Sequence, residues 1–328
     1  MNNLKKIGMT ALAASLVSTS VFAGELAVSG SASMTYENYS TTENADGANN
    51  NRVFSQGNEI NFTGGGELDN GLTVALAFQL DEGSASGNAT SPLFDNHSVT
   101  VSSDTLGSFS ISGHGGSSAA SALDTTAAGD IFDNFDATAG ILATEVFNGS
   151  KAGNNIMKYT LPSMVDGLAV AVSYQAGGNS NAGGDASTAY GLTYTGVEGL
   201  TVSYGMGEDN DTPEDKRDVS TMAAAYAYGP VTVAYTESEN DATTASTDQK
   251  LKSVAVSYTI SENLSVKYGQ ETFENQADAV DPEYTSFSAS YTSGGMTVSV
   301  GTQSAENADG TASDKDVDYN YLTLGFAF

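Results

Sequence analysis

The sequence predicts an all-β fold, a 16-stranded antiparallel transmembrane β-barrel with short turns at one end and long loops at the other. Three observations carry this. Apolar and small polar residues alternate at period two through most of the chain, which is the spacing of a strand with one apolar and one polar face. Paired strands recur at about 32 residues, as a repeated supersecondary unit does. Beyond residue 23 no apolar run approaches the ~18–20 residues of a membrane helix, so any membrane residence must be by strands.

Composition narrows the rest. The chain has 328 residues, 40 Asp+Glu against 11 Lys+Arg, a net charge of −29, no Cys and two His. Without Cys there are no disulfides, thiolate zinc sites, Fe–S clusters or Cys nucleophiles. The negative charge repels phosphate backbones, so nucleic acid is excluded as a partner.

Residues 1–23 read as a cleaved export signal. Lys5 and Lys6 precede a short apolar stretch from Ile7 to Val17, and Val21-Phe22-Ala23 offers a small-x-Ala cleavage site. This leaves 24–328 as a single barrel domain with 40 acidic and 9 basic residues, a net charge of −31.

The strands follow in order. Leu72, Val74, Leu76, Phe78 and Leu80 share one face, and Thr73, Ala75, Ala77 and Gln79 the other. Leu168 to Gln175, Leu200 to Gly205, Val254 to Ile260 and Met296 to Val300 alternate likewise. Seven tight turns separate strand pairs: Asp69-Asn70-Gly71, Thr105-Leu106-Gly107, Val165-Asp166-Gly167, Val197-Glu198-Gly199, Tyr228-Gly229-Pro230, Ser261-Glu262-Asn263 and Gly294-Gly295. Eight longer acidic, Gly-rich segments lie near 39–52, 82–95, 117–153, 178–186, 207–217, 237–249, 275–282 and 305–316. Seven turns and eight loops join sixteen strands, an even number that closes without edges. A barrel of that width leaves an aqueous channel, so the small polar faces line water and the apolar faces meet lipid. Tyr174, Tyr204, Tyr226, Tyr228, Tyr235, Tyr258, Tyr268 and Tyr291 fall on the lipid phase near strand ends, where amphipathic rings form interfacial girdles.

The last strand, Tyr319 to Phe328, places Leu322, Leu324, Phe326 and Phe328 on one face and stops on an aromatic residue. With the export signal, the sixteen strands and one oversized third loop, the chain resembles the general diffusion porins of the Gram-negative outer membrane. Its small, Gly-rich, acidic style is similar to the alphaproteobacterial, Rhodobacter-type porins. The likeness is architectural and covers the whole chain after residue 23; its one diagnostic motif is the C-terminal strand, with Phe326 and Phe328 as the assembly signal.

The resemblance implies a homotrimer in outer-membrane lipid and lipopolysaccharide that passes small hydrophilic solutes and cations. It also implies that the third loop, 117–153, folds into the barrel as a constriction. Asp124, Asp130, Asp133, Asp136 and Glu145 would face the lumen, with Ile131, Phe132, Phe135, Ile141, Leu142 and Phe147 anchoring the loop to the wall. The family's facing basic cluster is largely missing here. Arg52 belongs to the first loop or the start of strand two and Arg217 to the fifth loop, while Lys158, Lys267, Glu59 and Asp81 alternate onto the lumen face. Few Lys opposite many carboxylates favour cations. Ala27, Ser29, Gly30, Ala32 and Gly64 to Gly66 are small enough for close packing between subunits.

No cofactor is expected, with calcium as the one candidate. Asp209, Asp211, Asp309, Asp314 and Asp316 could supply oxygens, but no stretch follows the twelve-residue EF-hand spacing. No enzyme is expected either: His97 and His114 are the chain's two His, and there is no Gly-x-Ser-x-Gly elbow. The alternative reading is a secreted or surface-attached acidic β-rich adhesin with calcium-binding loops.

Overall fold

The computed structural model describes residues 26–41, 52–81, 96–123, 125–135, 147, 152–177, 186–212, 215–243, 248–276, 278–308, 310 and 316–328. The export signal lies outside these residues.

Sixteen strands close one antiparallel barrel, each paired with its neighbours in the chain and the last with the first. The first eight are β1 (Leu26–Thr41), β2 (Arg52–Glu67), β3 (Thr73–Asp81), β4 (Asn96–Ser103), β5 (Gly107–His114), β6 (Ile156–Thr160), β7 (Leu168–Gln175) and β8 (Ser187–Val197). The others are β9 (Leu200–Thr212), β10 (Asp215–Tyr228), β11 (Val231–Ala242), β12 (Gln249–Ser261), β13 (Leu264–Asn275), β14 (Glu283–Ser293), β15 (Met296–Glu306) and β16 (Val317–Ala327). The expected turns sit where the sequence puts them. Gly71, Gly107, Gly167, Gly199, Gly229 and Gly294 take positive φ there, a conformation that costs other residues a clash at Cβ.

Closure runs through β1 and β16, in register from Ser31 opposite Ala327 to Thr41 opposite Val317. Gly30 N–H donates to Phe328 O at 2.8 Å, and Phe328 N–H donates back to Gly30 O at 3.0 Å.

The two faces separate cleanly. One phase of the strands buries Tyr39, Leu251, Phe273, Tyr284 and Tyr319 against the third loop, so that phase points into the barrel. The other exposes Met34, Ile60, Leu76, Phe78, Val99, Phe109, Ile111, Leu192, Met222, Val254, Val256, Val300 and Leu322. A continuous apolar belt of this kind is a surface for lipid rather than water.

Three expectations need correction. Strands β9 and β10 run through most of the segment 207–217, and β11 through the first part of 237–249 as far as Ala242, both read above as loops. Their outer ends are charged, but cross-strand partners stand in for apolar alternation: on the outward phase Lys250 bonds Glu237 at 2.9 Å and also Glu239, and Lys252 bonds Glu274. Arg217 therefore lies within β10, opposite Asp209 of β9, and not in a loop. The small residues of β1 and β2 do not all face outward. Gly30, Ala32 and Gly64 share the phase of Met34 and Ile60, whereas Ala27, Ser29 and Gly65 fall on the lumen phase with Thr63 and Glu59. The expected girdle rings are exposed except for the half-buried Tyr235; Tyr39, Tyr284 and Tyr319, outside that set, are turned inward and buried.

Candidate functional site

The third loop is built into the lumen. It leaves β5, and its base is closed by a two-residue ladder pairing Gly116 with Gly153 and Ser117 with Ala152. From there its contacts advance around the inner wall. Ala119 and Ala120 pack with Ala189 and Ala171, and Ala119 N–H donates to Ser173 Oγ of β7 at 2.8 Å. Next, Ala128 N–H donates to Ser253 Oγ of β12 at 2.8 Å. A single 3₁₀ turn, Phe132–Phe135, then packs Phe132 on Phe273 and Phe135 on Tyr284 and Tyr319. Finally Tyr39 Oη of β1 donates to Asn134 O at 3.0 Å.

Ile131, Phe132 and Phe135 are buried. Burying each such side chain contributes about 1.5–3 kcal/mol, more than a short loop's polar contacts alone supply. The described part of the loop therefore hugs the wall from β7 through β16 to β1. The wall from β2 to β6 makes none of these contacts.

Close approach of the loop requires missing side chains on the wall. Gly191, Gly205 and Gly269 lie on lumen positions of β8, β9 and β13. A Cβ at Gly205 would stand 3.1 Å from Ala120 Cα, and one at Gly269 would stand 2.6 Å from Ala128 Cβ. At Gly191 it would run into Ala119 O.

The turn Thr126–Asp130 is knitted internally. Thr126 N–H donates to Asp130 Oδ1 at 2.9 Å, and Thr126 Oγ1 accepts from Gly129 N–H at 3.0 Å and Asp130 N–H at 2.6 Å. Asp130 holds the turn at φ 53°. The Thr126 hydroxyl donates to Glu271 Oε1 of β13. Phe132 N–H donates to Glu271 Oε2 at 3.1 Å, and Ser253 Oγ–H donates to Oε1 at 3.4 Å. Lys267 Nζ donates to Ala128 O at 2.8 Å, within electrostatic reach of Glu271 and Asp130.

A wide closed barrel with an apolar outer belt and a loop braced across its lumen is the architecture of a membrane channel. The family described as Gram-negative porin matches residues 8–283. The chain is a Gram-negative porin. Solved porins share its fold. The anion-selective porin from Comamonas acidovorans has a TM-score of 0.70 at 14% identity, covering 92% of this chain and 99% of that one. Salmonella typhi OmpF, in complex with daunomycin, has a TM-score of 0.64 at 14% identity, covering 93% and 98%. A mutant of the Rhodopseudomonas blastica porin has 0.62 at 15% identity, covering 92% and 100%. No curated relative matches the chain.

In this porin the expected site residues fall in three places. Asp130, Asp133 and Lys267 lie at the loop. Asp133 is exposed, Asp130 is half-buried and engaged in its turn, and the Lys267 ammonium is taken up by the loop carbonyl. Glu59 and Asp81 are register partners on β2 and β3, with Glu59 accepting from Gln79 Nε2 at 2.6 Å and Asn61 Nδ2 at 3.2 Å. Lys158 stands apart on β6, opposite Ser110 and Ser173. Asp124, Asp136 and Glu145 lie outside the described residues, as do Ile141 and Leu142. Phe147 packs against Phe273.

The calcium reading gains no support. Asp209 stands opposite Arg217, Asp211 falls within β9, and Asp316 directly precedes β16; Asp309 and Asp314 lie outside the described residues. Among the described residues no three His, Cys, Asp or Glu side chains converge as a metal site requires.

Sequence reasoning missed Glu271, Thr126, Ser253 and Ser173, which fix the loop. Their signal was indirect: Gly191, Gly205 and Gly269 interrupt strands on the lumen phase, and glycine inside a strand marks a close approach of another backbone.

Proposed function

We propose that this porin forms a water-filled, cation-preferring channel for passive diffusion of ions and small hydrophilic solutes, and is neither an enzyme nor an adhesin. One observation carries the ion preference. The loop segment in the lumen carries the exposed Asp133, and the ammonium of Lys267, the wall lysine that meets this loop, is engaged by Ala128 O. Glu37 on β1 and Glu59 on the wall away from the loop lie on the lumen phase, where Lys158 is the one lysine among β1 to β6. Rings of carboxylates raise local cation concentration, and a lysine already bonded to a carbonyl adds little to an anion's path.

The protein is exported with cleavage after Ala23 and assembles as a homotrimer in outer-membrane lipid and lipopolysaccharide. The apolar belt and the outward Gly30, Ala32 and Gly64 support this assembly.

The test is a planar bilayer holding the purified protein under a potassium chloride gradient. The expected reversal potential has the sign of cation preference. Anion preference, or no channel activity from correctly folded protein, sinks the reading.

A further inference from the structure

Glu271 is fully buried, at 0% exposure, and is the one acidic side chain with which the described wall hydrogen-bonds the loop; the other wall contacts come from Ser, Gly, Tyr, apolar side chains and Lys267. A buried carboxylate is costly unless its oxygens are hydrogen-bonded. Here every donor given to it except Ser253 belongs to the loop: the Thr126 hydroxyl on one oxygen and Phe132 N–H on the other. These two residues flank the Asp130 turn, so one carboxylate clamps both ends of the segment that carries Asp130.

We propose that Glu271 is the positioning residue of the lumen loop, a latch that holds segment 126–135 against β12 and β13 and so sets how far the carboxylate of Asp133 projects. This rests on the reading of the loop as the channel's constriction. The charged groups around the latch are Lys267, four residues earlier on the same face of the strand, and Asp130 across it. Lys267 holds the next loop carbonyl, Ala128 O, and Ser253 the N–H of the same residue. Glu271 differs from both in binding the loop at two points four residues or more apart. A neutral Gln has one acceptor oxygen and an NH₂ group, so it can satisfy Thr126 or Phe132 but not both.

The test uses the full chain in detergent and in bilayers, with Glu271→Ala, Glu271→Gln and, from the loop side, Thr126→Val. Two readouts are taken: hydrogen exchange of peptides covering 126–135, and single-channel conductance with its open-state noise. The expected result is exchange in 126–135 about tenfold faster in Glu271→Ala and Thr126→Val, the loss that follows removal of a charge-assisted hydrogen bond. Glu271→Gln should be intermediate, and open-channel noise should rise in the same order. Wild-type exchange and wild-type noise in folded Glu271→Ala overturn the proposal. If Glu271→Ala does not fold, wild-type behaviour of Thr126→Val overturns it, because the loop-side variant leaves the barrel wall intact. A lowered melting temperature with unchanged loop exchange also overturns it, since that is a role in the wall only. Faster exchange with unchanged conductance and noise keeps the latch and removes the constriction reading. Anion preference in the wild type removes the ion preference and leaves the latch standing.

Discussion

Asp130 and Asp133 are three residues apart and do different work. Asp130 gives one oxygen to Thr126 N–H and lies in a strained turn, while Asp133 is exposed. A cation passing about 6 Å from a carboxylate is stabilised by about 0.7 kcal/mol at the dielectric constant of water, or about threefold in occupancy. Asp133→Asn should therefore lower the cation-to-anion permeability ratio about threefold and leave loop exchange unchanged. Asp130→Asn should alter exchange in the turn as well. Reversal potentials and exchange on both variants check this, and an unchanged ratio in Asp133→Asn takes that residue out of the ion path. At this scale the sequence was partly legible. Period two alone assigned Lys158, Lys267 and Glu59 to the lumen, because alternate strand residues must face opposite ways. It could not separate Glu271 from its neighbours, since in a strand reading Glu271, Thr272, Phe273, Glu274 acids occupy both phases. Only the loop folded over Glu271 distinguishes it.

Elements were legible where apolar alternation was strong and lost where charge replaced it. The turns came out in place, since each demands Gly, Asn or Asp for its backbone. The outer ends of β9 to β11 did not, because Asp, Glu and Asn there resemble loop composition while Lys250 and Lys252 pair the strands. The C-terminal element makes a sharper case. Phe328 and Gly30 exchange backbone hydrogen bonds, and a Cβ on Gly30 would stand 2.8 Å from the Phe328 ring. The seam is thus completed by a ring that lies on a residue without a side chain. Gly30→Val should displace that ring at a cost of about 1–3 kcal/mol, the range for overpacking. The expected outcome is a lower urea midpoint for the folded, heat-modifiable form, with Phe328→Ala in the same background restoring only the ring's share of the loss, because the same Cβ also stands 2.9 Å from the backbone oxygen of Glu59. A Gly30→Val barrel as stable as wild type would show that the ring does not need that space.

Over the whole molecule the net charge of −29 is distributed in a way that predicts how selectivity depends on salt. Some carboxylates lie on the lumen loop or on the lumen face of the wall, as Asp133, Glu37 and Glu59 do. Others cluster at the loop end of β11 to β13, among them Glu239, Asp241, Glu274 and Asp281. The two groups act over different distances. The Debye length is about 30 Å at 0.01 M salt and about 3 Å at 1 M. In dilute salt the rim therefore draws cations to the mouth, whereas at 1 M only charges in near contact with the permeating ion act on it. The cation-to-anion permeability ratio should be largest with ~10 mM baths and fall steadily towards a plateau near ~1 M. The plateau measures the lumen carboxylates, so Asp133→Asn should lower it, and neutralising the exposed Asp241 and Asp281 should flatten only the dilute end. A ratio independent of salt would mean that the rim charge contributes nothing and that selectivity resides wholly where ions touch the wall. Measuring reversal potentials at a fixed concentration ratio across that range, for the wild type and these variants, separates the two groups of carboxylates.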